Sequence, residues 1–228
     1  MSSTPLRVLA HRGVLDGRDP ARENLLETLR AAARAGYGLE FDVRRDAAGR
    51  LVLAHDPAEW SADRDAEALL EDPPGDALHA LNVKDPAAVL PALDVLERAG
   101  TAHRFFFFDF ELACADAAQA AALSAAVAAR GAAVARRLSD REPVLDELLA
   151  DGDVEHVWLD EFDGPWADRA SVSSLISAGK TVWYVSPELH RPQPMAALRR
   201  RWRDVLAWGV CGICTDHPTA LSAHRESQ

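Results

Sequence analysis

Apolar positions follow one recurring order along the chain: an Ala- and Leu-rich stretch at helical spacing, a glycine, then a short β-branched or aromatic run. Gly36, Gly100, Gly131, Gly152, Gly179 and Gly209 each follow a helical pattern, where a residue able to take φ > 0 ends a helix. Strands are predicted over 8–13, 38–45, 80–84, 104–110, 132–138, 156–162, 181–186 and 210–215. A further short strand at 51–55 reads as a hairpin return, turned at Ala48-Gly49 after Arg45. Asp85 and Pro86 mark a helix start whose apolar face is Val89, Leu90, Leu93 and Leu96, and Pro91 inside it predicts a kink or a delayed start.

No sequence repeat is present. Eight strands alternating with helices imply right-handed crossovers and a parallel sheet, and in 228 residues they fit a compact α/β fold, a single-domain (β/α)8 TIM-type barrel over 1–228. A doubly wound open sheet is the alternative. Residues 57–79, rich in Asp, Glu, Pro and Ala, form the longest connection without a clear strand and read as a lid or a rim excursion. The polar tail 222–228 is expected to fray.

Composition narrows the function classes. With 48% hydrophobic residues and a net charge of -11, the chain is a folded domain whose acidity repels nucleic acid, and no Lys/Arg run mixed with aromatics offsets that. Arg199, Arg200, Arg201 and Arg203 read as a solvated helix face, and only Lys84 and Lys180 are lysines. No apolar run reaches the roughly 20 residues of a membrane span, no basic amphipathic anchor is visible, and 1–6 lacks the character of a secretory signal, so a cytoplasmic location is expected. Three cysteines are too few for a disulfide framework, and Cys211 and Cys214 sit in a strand pattern without a second pair for zinc. Phe105 to Phe108 reads as a buried parallel strand covered on both faces.

In a barrel the chemistry gathers where strands end, and the polar strand ends here are one-sided. They are His11-Arg12, Glu40 and Asp42, His55-Asp56, Asn82 and Lys84, Asp109, and Thr215-Asp216-His217. Glu40 and Asp42, two apart on a strand, point to one side of the sheet while Leu39, Phe41 and Val43 point to the other. Two carboxylates facing a barrel interior need a partner, either an arginine such as Arg12 or Arg44, or a hard divalent cation bound through oxygen. The neighbouring strand ends favour the cation. His11 and His55 suit proton transfer near neutrality, and Arg12 and Lys84 suit an anionic group. Together these features read as phosphoryl chemistry. Glu188 and His190, after the seventh strand, stand as substrate contacts or as surface loop residues, and Trp166 as a ligand cover or as rim packing.

The order H-R-G at His11 to Gly13, E-N at Glu23-Asn24, E-x-D at Glu40 to Asp42, H-D at His55-Asp56, the lysine Lys84 and T-D-x-P at Thr215 to Pro218 resembles the glycerophosphodiester phosphodiesterase family, within the superfamily of phosphatidylinositol-specific phospholipase C. Phe105 to Phe110 with Ser186-Pro187-Glu188 resembles a small bacterial branch of it. The resemblance implies a barrel and a Mg²⁺ or Ca²⁺ ion on Glu40 and Asp42. It further implies His11 and His55 as general acid and base, Arg12 and Lys84 on the phosphate, and a small-molecule phosphodiester as substrate. Two departures stand out. Arg22 and Leu25 flank the E-N pair where the family has Pro and Thr, and Asn82 occupies a place that is usually acidic, with Asp109 on the next strand as the other source of the missing oxygen. The rival expectation is a barrel with weakened catalysis that binds a phosphate-containing ligand without efficient turnover.

Overall fold

The computed structural model describes residues 7–226. Strands β1 (Arg7–His11), β2 (Gly38–Arg45), β4 (His79–Val83), β5 (Phe105–Phe108), β6 (Ala133–Ser139), β7 (His156–Asp160), β8 (Thr181–Val185) and β9 (Gly212–Thr215) pair in parallel in that order. The pairing of β1 with both β2 and β9 closes the sheet into a barrel, which excludes the open doubly wound alternative. Strand β3 (Leu51–Leu53) returns antiparallel along β2, with Val43 opposite Leu53, as the hairpin reading expected.

Helices α1 (Leu26–Arg34), α2 (Ala66–Glu71), α3 (Val89–Ala99), α4 (Phe110–Ala113), α5 (Ala117–Ala129), α6 (Leu145–Ala150), α7 (Arg169–Ser177), α8 (Met195–Trp208) and α9 (Pro218–Glu226) accompany the strands. Asp85 caps a first turn at Pro86–Ala88, so α3 starts late, and Pro91 falls in its first turn where its missing N–H is harmless. Gly100 closes α3 at φ 70° and Gly209 closes α8 at φ 95°, both in the left-handed region. Gly152 departs from the expected pattern: α6 ends at Ala150 and Asp151 is extended, so no left-handed glycine is needed there. The tail is helical through Glu226, and the last two residues expected to fray lie outside the described residues, as do 1–6.

Side chains on each strand divide by the pleat. Leu39, Phe41, Val43, Phe105 and Phe107 pack outward under the helices, while Leu9, Phe106, Phe108, Trp158, Trp183 and Cys214 fill the barrel interior. All four phenylalanines of β5 are buried, as a strand covered on both faces requires. Strand β5 was expected to reach Phe110 but stops at Phe108, because Asp109 turns left-handed at φ 71° and Phe110 opens α4. Residues 57–79 carry α2, whose Ala66, Leu69 and Leu70 join the core, and Arg30 and Arg104 tie this excursion down through its backbone carbonyls.

No disulfide forms among the described residues, and burial pushes the Cys214 thiol well up. Lys180 is buried and donates to the Asp151 and Val154 carbonyls. Arg199, Arg200 and Arg203 are solvated as expected, whereas Arg201 turns inward and binds buried Glu161. Among the described residues no helix is long and apolar enough to cross a membrane.

Candidate active site

The C-terminal strand ends open onto a cavity of about 700 Å³ lined by His11, Arg12, Glu40, His55, Asn82, Lys84 and Asp109, with Asp42 beneath. The strand-end residues from His11 to Asp109 therefore converge on one place, with Asp216 behind His11, whereas Thr215 and His217 do not line the cavity. A second cavity of about 670 Å³ lies at the opposite, N-terminal end, beside Arg7, Arg104 and His156. Barrel chemistry gathers at the C-terminal end.

The backbone here is held in unusual conformations. Among the described residues, Arg12 (φ 50°), Asn24 (φ 57°) and Asp109 (φ 71°) are the non-glycine residues at positive φ, and all three border this cavity. Such strain persists only where surrounding contacts impose it, and it concentrates at working sites. At Arg12 the turn brings the backbone N–H to Glu40 Oε2 at 3.2 Å. At Asn24 it allows a reciprocal pair, in which the side-chain amide donates to Asp42 Oδ2 at 2.8 Å and accepts from the Asp42 N–H at 3.1 Å.

His11 is fixed from behind. Its Nδ1 lies 2.7 Å from Asp216 Oδ1, which leaves Nε2 on the Glu40 side at 3.8 Å from Oε2. Burial disfavours the imidazolium, but the Asp216 hydrogen bond and the Glu40 charge outweigh it and raise the His11 pKa. Asp216 is held in turn by Glu188, whose Oε1 accepts from Thr215 Oγ1 at 2.5 Å and from the Asp216 N–H at 3.2 Å. His55 is different. Its side chain is 42% exposed on the hairpin end, with Nδ1 3.0 Å from the exposed Asp56.

The carboxylates divide between cations and empty space. Arg12 reaches Glu23 at 2.7 Å and Asp42 Oδ2 at 3.0 Å, so the arginine-paired reading of the E-x-D pair is met in part, while Arg44 turns away to the His55 carbonyl. Among the described residues Asp42 Oδ1 accepts no hydrogen bond, and Lys84 Nζ lies 3.7 Å from it. The Asn82 side-chain oxygen, on the residue paired with Asp42 across β2 and β4, is also buried and without a partner. Burial first, and Asp42 second, push the Glu40 carboxyl up to about 7 against the pull of His11, Arg12 and Lys84.

Two orphaned buried oxygens beside a carboxylate that is reluctant to ionise fit a hard divalent cation bound through oxygen. The donor set is thin. Among the described residues no three His, Cys, Asp or Glu side chains form a ligand cluster, and the third oxygen on offer is the amide of Asn82. Asp109, the other expected source, is engaged elsewhere: Arg137 Nε donates to its Oδ1 at 3.0 Å, and its Oδ2 lies 3.9 Å from Lys84.

In the opposite half of the cavity the sequence pointed to Asp109 and to His190, which lines the cavity, but not to Arg137 or Asp160. Arg137 on β6 bridges Asp109 and Asp160, and Asp160 at the end of β7 lies 2.5 Å from His190 Nε2. The signal for Asp160 was available, since an aspartate closing β7 follows the same strand-end rule, whereas Arg137 lies inside β6. Asp216 stood in the T-D-x-P motif without a role. Trp166 packs on the rim, its indole donating to the Asp160 carbonyl at 2.7 Å.

No family model matches the chain, and no curated protein sequence matches it. Solved structures do. A Galdieria sulphuraria protein assigned as a glycerophosphodiester phosphodiesterase superposes with a TM-score of 0.75 at 16% identity over 98% of both chains. A glycerophosphoryl diester phosphodiesterase from Parabacteroides distasonis gives 0.68 at 14% identity, over 100% of this chain and 88% of that one. A mutant tryptophan synthase alpha-subunit from Pyrococcus furiosus gives 0.53 at 13% identity, over 96% and 95%. At these identities the likeness establishes the (β/α)8 barrel, a fold that carries more than one chemistry.

Proposed function

We propose that this protein is a phosphodiesterase of the glycerophosphodiester type, acting with a divalent cation, Mg²⁺ or Ca²⁺, on a small soluble diester. The observation that carries the reading is His11, partly buried between Asp216 and Glu40 next to two unpartnered oxygens and two cations. The higher similarity to glycerophosphodiester phosphodiesterase structures than to the tryptophan synthase barrel supports it.

Glu40, Asp42 and Asn82 would hold the cation, which supplies Lewis-acid polarisation of a phosphoryl oxygen and charge neutralisation. Arg12 and Lys84 bind the remaining phosphate oxygens and offset charge that grows in the transition state. Asp216 holds His11 in one orientation so that Nε2 exchanges a proton at one reacting oxygen, and His55 on the hairpin serves the other. The nucleophile is water or a neighbouring hydroxyl of the substrate, the latter giving a cyclic phosphate first.

Turnover of glycerophosphodiesters and lysophospholipids with Mg²⁺, Ca²⁺ or chelator, beside His11→Ala, tests this. Metal-dependent release that falls about 10²- to 10⁴-fold in the variant is expected for loss of a general acid or base. Near-normal activity in His11→Ala would sink the assignment. The thin donor set favours one rival, a barrel that binds phosphate esters without efficient turnover. It predicts ligand-dependent stabilisation with no product.

A further inference from the structure

We infer that the cavity at the N-terminal end of the barrel is a second binding site, for a small oxyanion carrying a phosphate or carboxylate group, with Arg7 and His156 supplying the contacts and Arg104 further positive charge. None of these residues lines the catalytic cavity, so the site stands or falls apart from the phosphodiesterase reading.

The polar groups gathered here are donors whose protons are fixed by their other contacts. The Trp183 indole donates to His156 Nδ1 at 3.1 Å, so a neutral His156 carries its own proton on Nε2. Burial outweighs the pull of Glu155 and, with the Arg7 charge, lowers the His156 pKa, which keeps the ring neutral near pH 7. Its Nε2–H has no acceptor among the described residues. His79 follows the same logic: Nδ1 accepts from the Leu39 N–H at 3.2 Å, so Nε2 is a donor, and it lies 3.3 Å from Arg104 Nη2, a donor as well. Arg104 gives its Nη groups to the Pro73, Pro74 and Gly75 carbonyls, and its Nε is buried without a partner.

Charge compensation is missing as well. Arg7 lies over the Trp183 ring, 6.0 Å from its centroid, and neither Arg7 nor Arg104 forms an ion pair among the described residues. Asp76, the one carboxylate on the described lining, is exposed and pairs with neither. Elsewhere in this acidic chain arginines find carboxylates, as Arg130, Arg136 and Arg141 do. A half-buried guanidinium without a counter-charge is costly, and an acceptor-only ligand removes that cost. The fork of an arginine matches phosphate and carboxylate alike, and a cavity of about 670 Å³ admits a small metabolite rather than a bare ion.

The Trp183 indole N–H reports on this site, because an anion accepting from His156 Nε2 polarises the hydrogen bond that Nδ1 receives. Trp158, which lines the catalytic cavity, reports binding there. In ¹H–¹⁵N spectra of the full chain, with the two indoles assigned from Trp183→Phe and Trp158→Phe, inorganic phosphate and succinate are titrated separately. A saturable shift of the Trp183 indole with a Kd below about 10 mM is expected for at least one of them. A shift with phosphate alone, with succinate alone or with both upholds the site and identifies the oxyanion it takes. Arg7→Gln is expected to weaken that Kd about tenfold, the worth of one charge-assisted hydrogen bond, and Arg7→Lys to restore part of it. No saturable shift of Trp183 with either anion, or a Kd unchanged in Arg7→Gln, overturns the site.

Discussion

Replacing the amide at the cavity floor with a carboxylate, Asn82→Asp, tests whether the orphaned oxygens form a cation site. Asn82 and Asp42 are paired residues on neighbouring strands, and Glu40 shares their face of β2. Neighbouring strands lie about 4.8 Å apart, so the new carboxylate would stand roughly 5 Å from that of Asp42. At an effective dielectric of about 20, each such like-charge contact costs about 3 kcal/mol. Lys84, 3.7 Å from Asp42, returns part of this, and protonation of the carboxyl caps the remainder. A net loss of about 2 kcal/mol without metal is expected, a fall of roughly 4–8 °C in Tm for a chain of this size. A divalent cation reverses the sign, since the added charge becomes a ligand, and affinity should rise about 10- to 100-fold, equivalent to about 1.4–2.8 kcal/mol. Thermal melts of both proteins across a Mg²⁺ or Ca²⁺ titration, with chelator as zero, read both effects through the stabilisation a native-state ligand must give. A variant that melts like the unaltered protein in chelator and responds no more strongly to cation would refute the claim that these oxygens share a cation site.

Two further outcomes follow from buried charge. Arg137→Met leaves Asp109 and Asp160 facing each other without their shared cation, and a loss of about 3–5 kcal/mol is expected in urea unfolding; a loss under about 1 kcal/mol would mean the bridge is unimportant to the fold. His79 is buried, with Nδ1 accepting from the Leu39 N–H, and burial, aided by the Arg104 charge, lowers its pKa to about 3. The unfolded chain, with an ordinary value of about 6.5, then binds the extra proton, so the stability His79 contributes is full above about pH 6.5 and is lost as pH falls towards 3, by up to about 5 kcal/mol. Urea midpoints at pH 7 and pH 4.5 should converge more closely for His79→Gln than for the unaltered protein, and parallel shifts would exclude His79 as the source.

Local periodicity made much of this protein legible in its sequence. The alternation of apolar runs and helical stretches placed the eight barrel strands, and the period of two put Glu40 and Asp42 on the inner face with Phe41 outside. Both depend on residues a few positions apart, where steric preference and amphipathic patterning act. Strand-end chemistry was legible too, because parallel strands deliver their C-terminal ends to one rim. What the sequence could not rank was which charges would meet once desolvated. Asp216 reaches His11 from 205 positions away, and Asp109, a candidate oxygen ligand on its own strand, is claimed by Arg137 from 28 positions further on. Those pairings exist only because barrel closure sets β9 against β1 and stacks β5, β6 and β7 in register. The left-handed turns at Arg12, Asn24 and Asp109 belong to the same category. Their local preference opposes the conformation, and the contacts made across the closed barrel impose it.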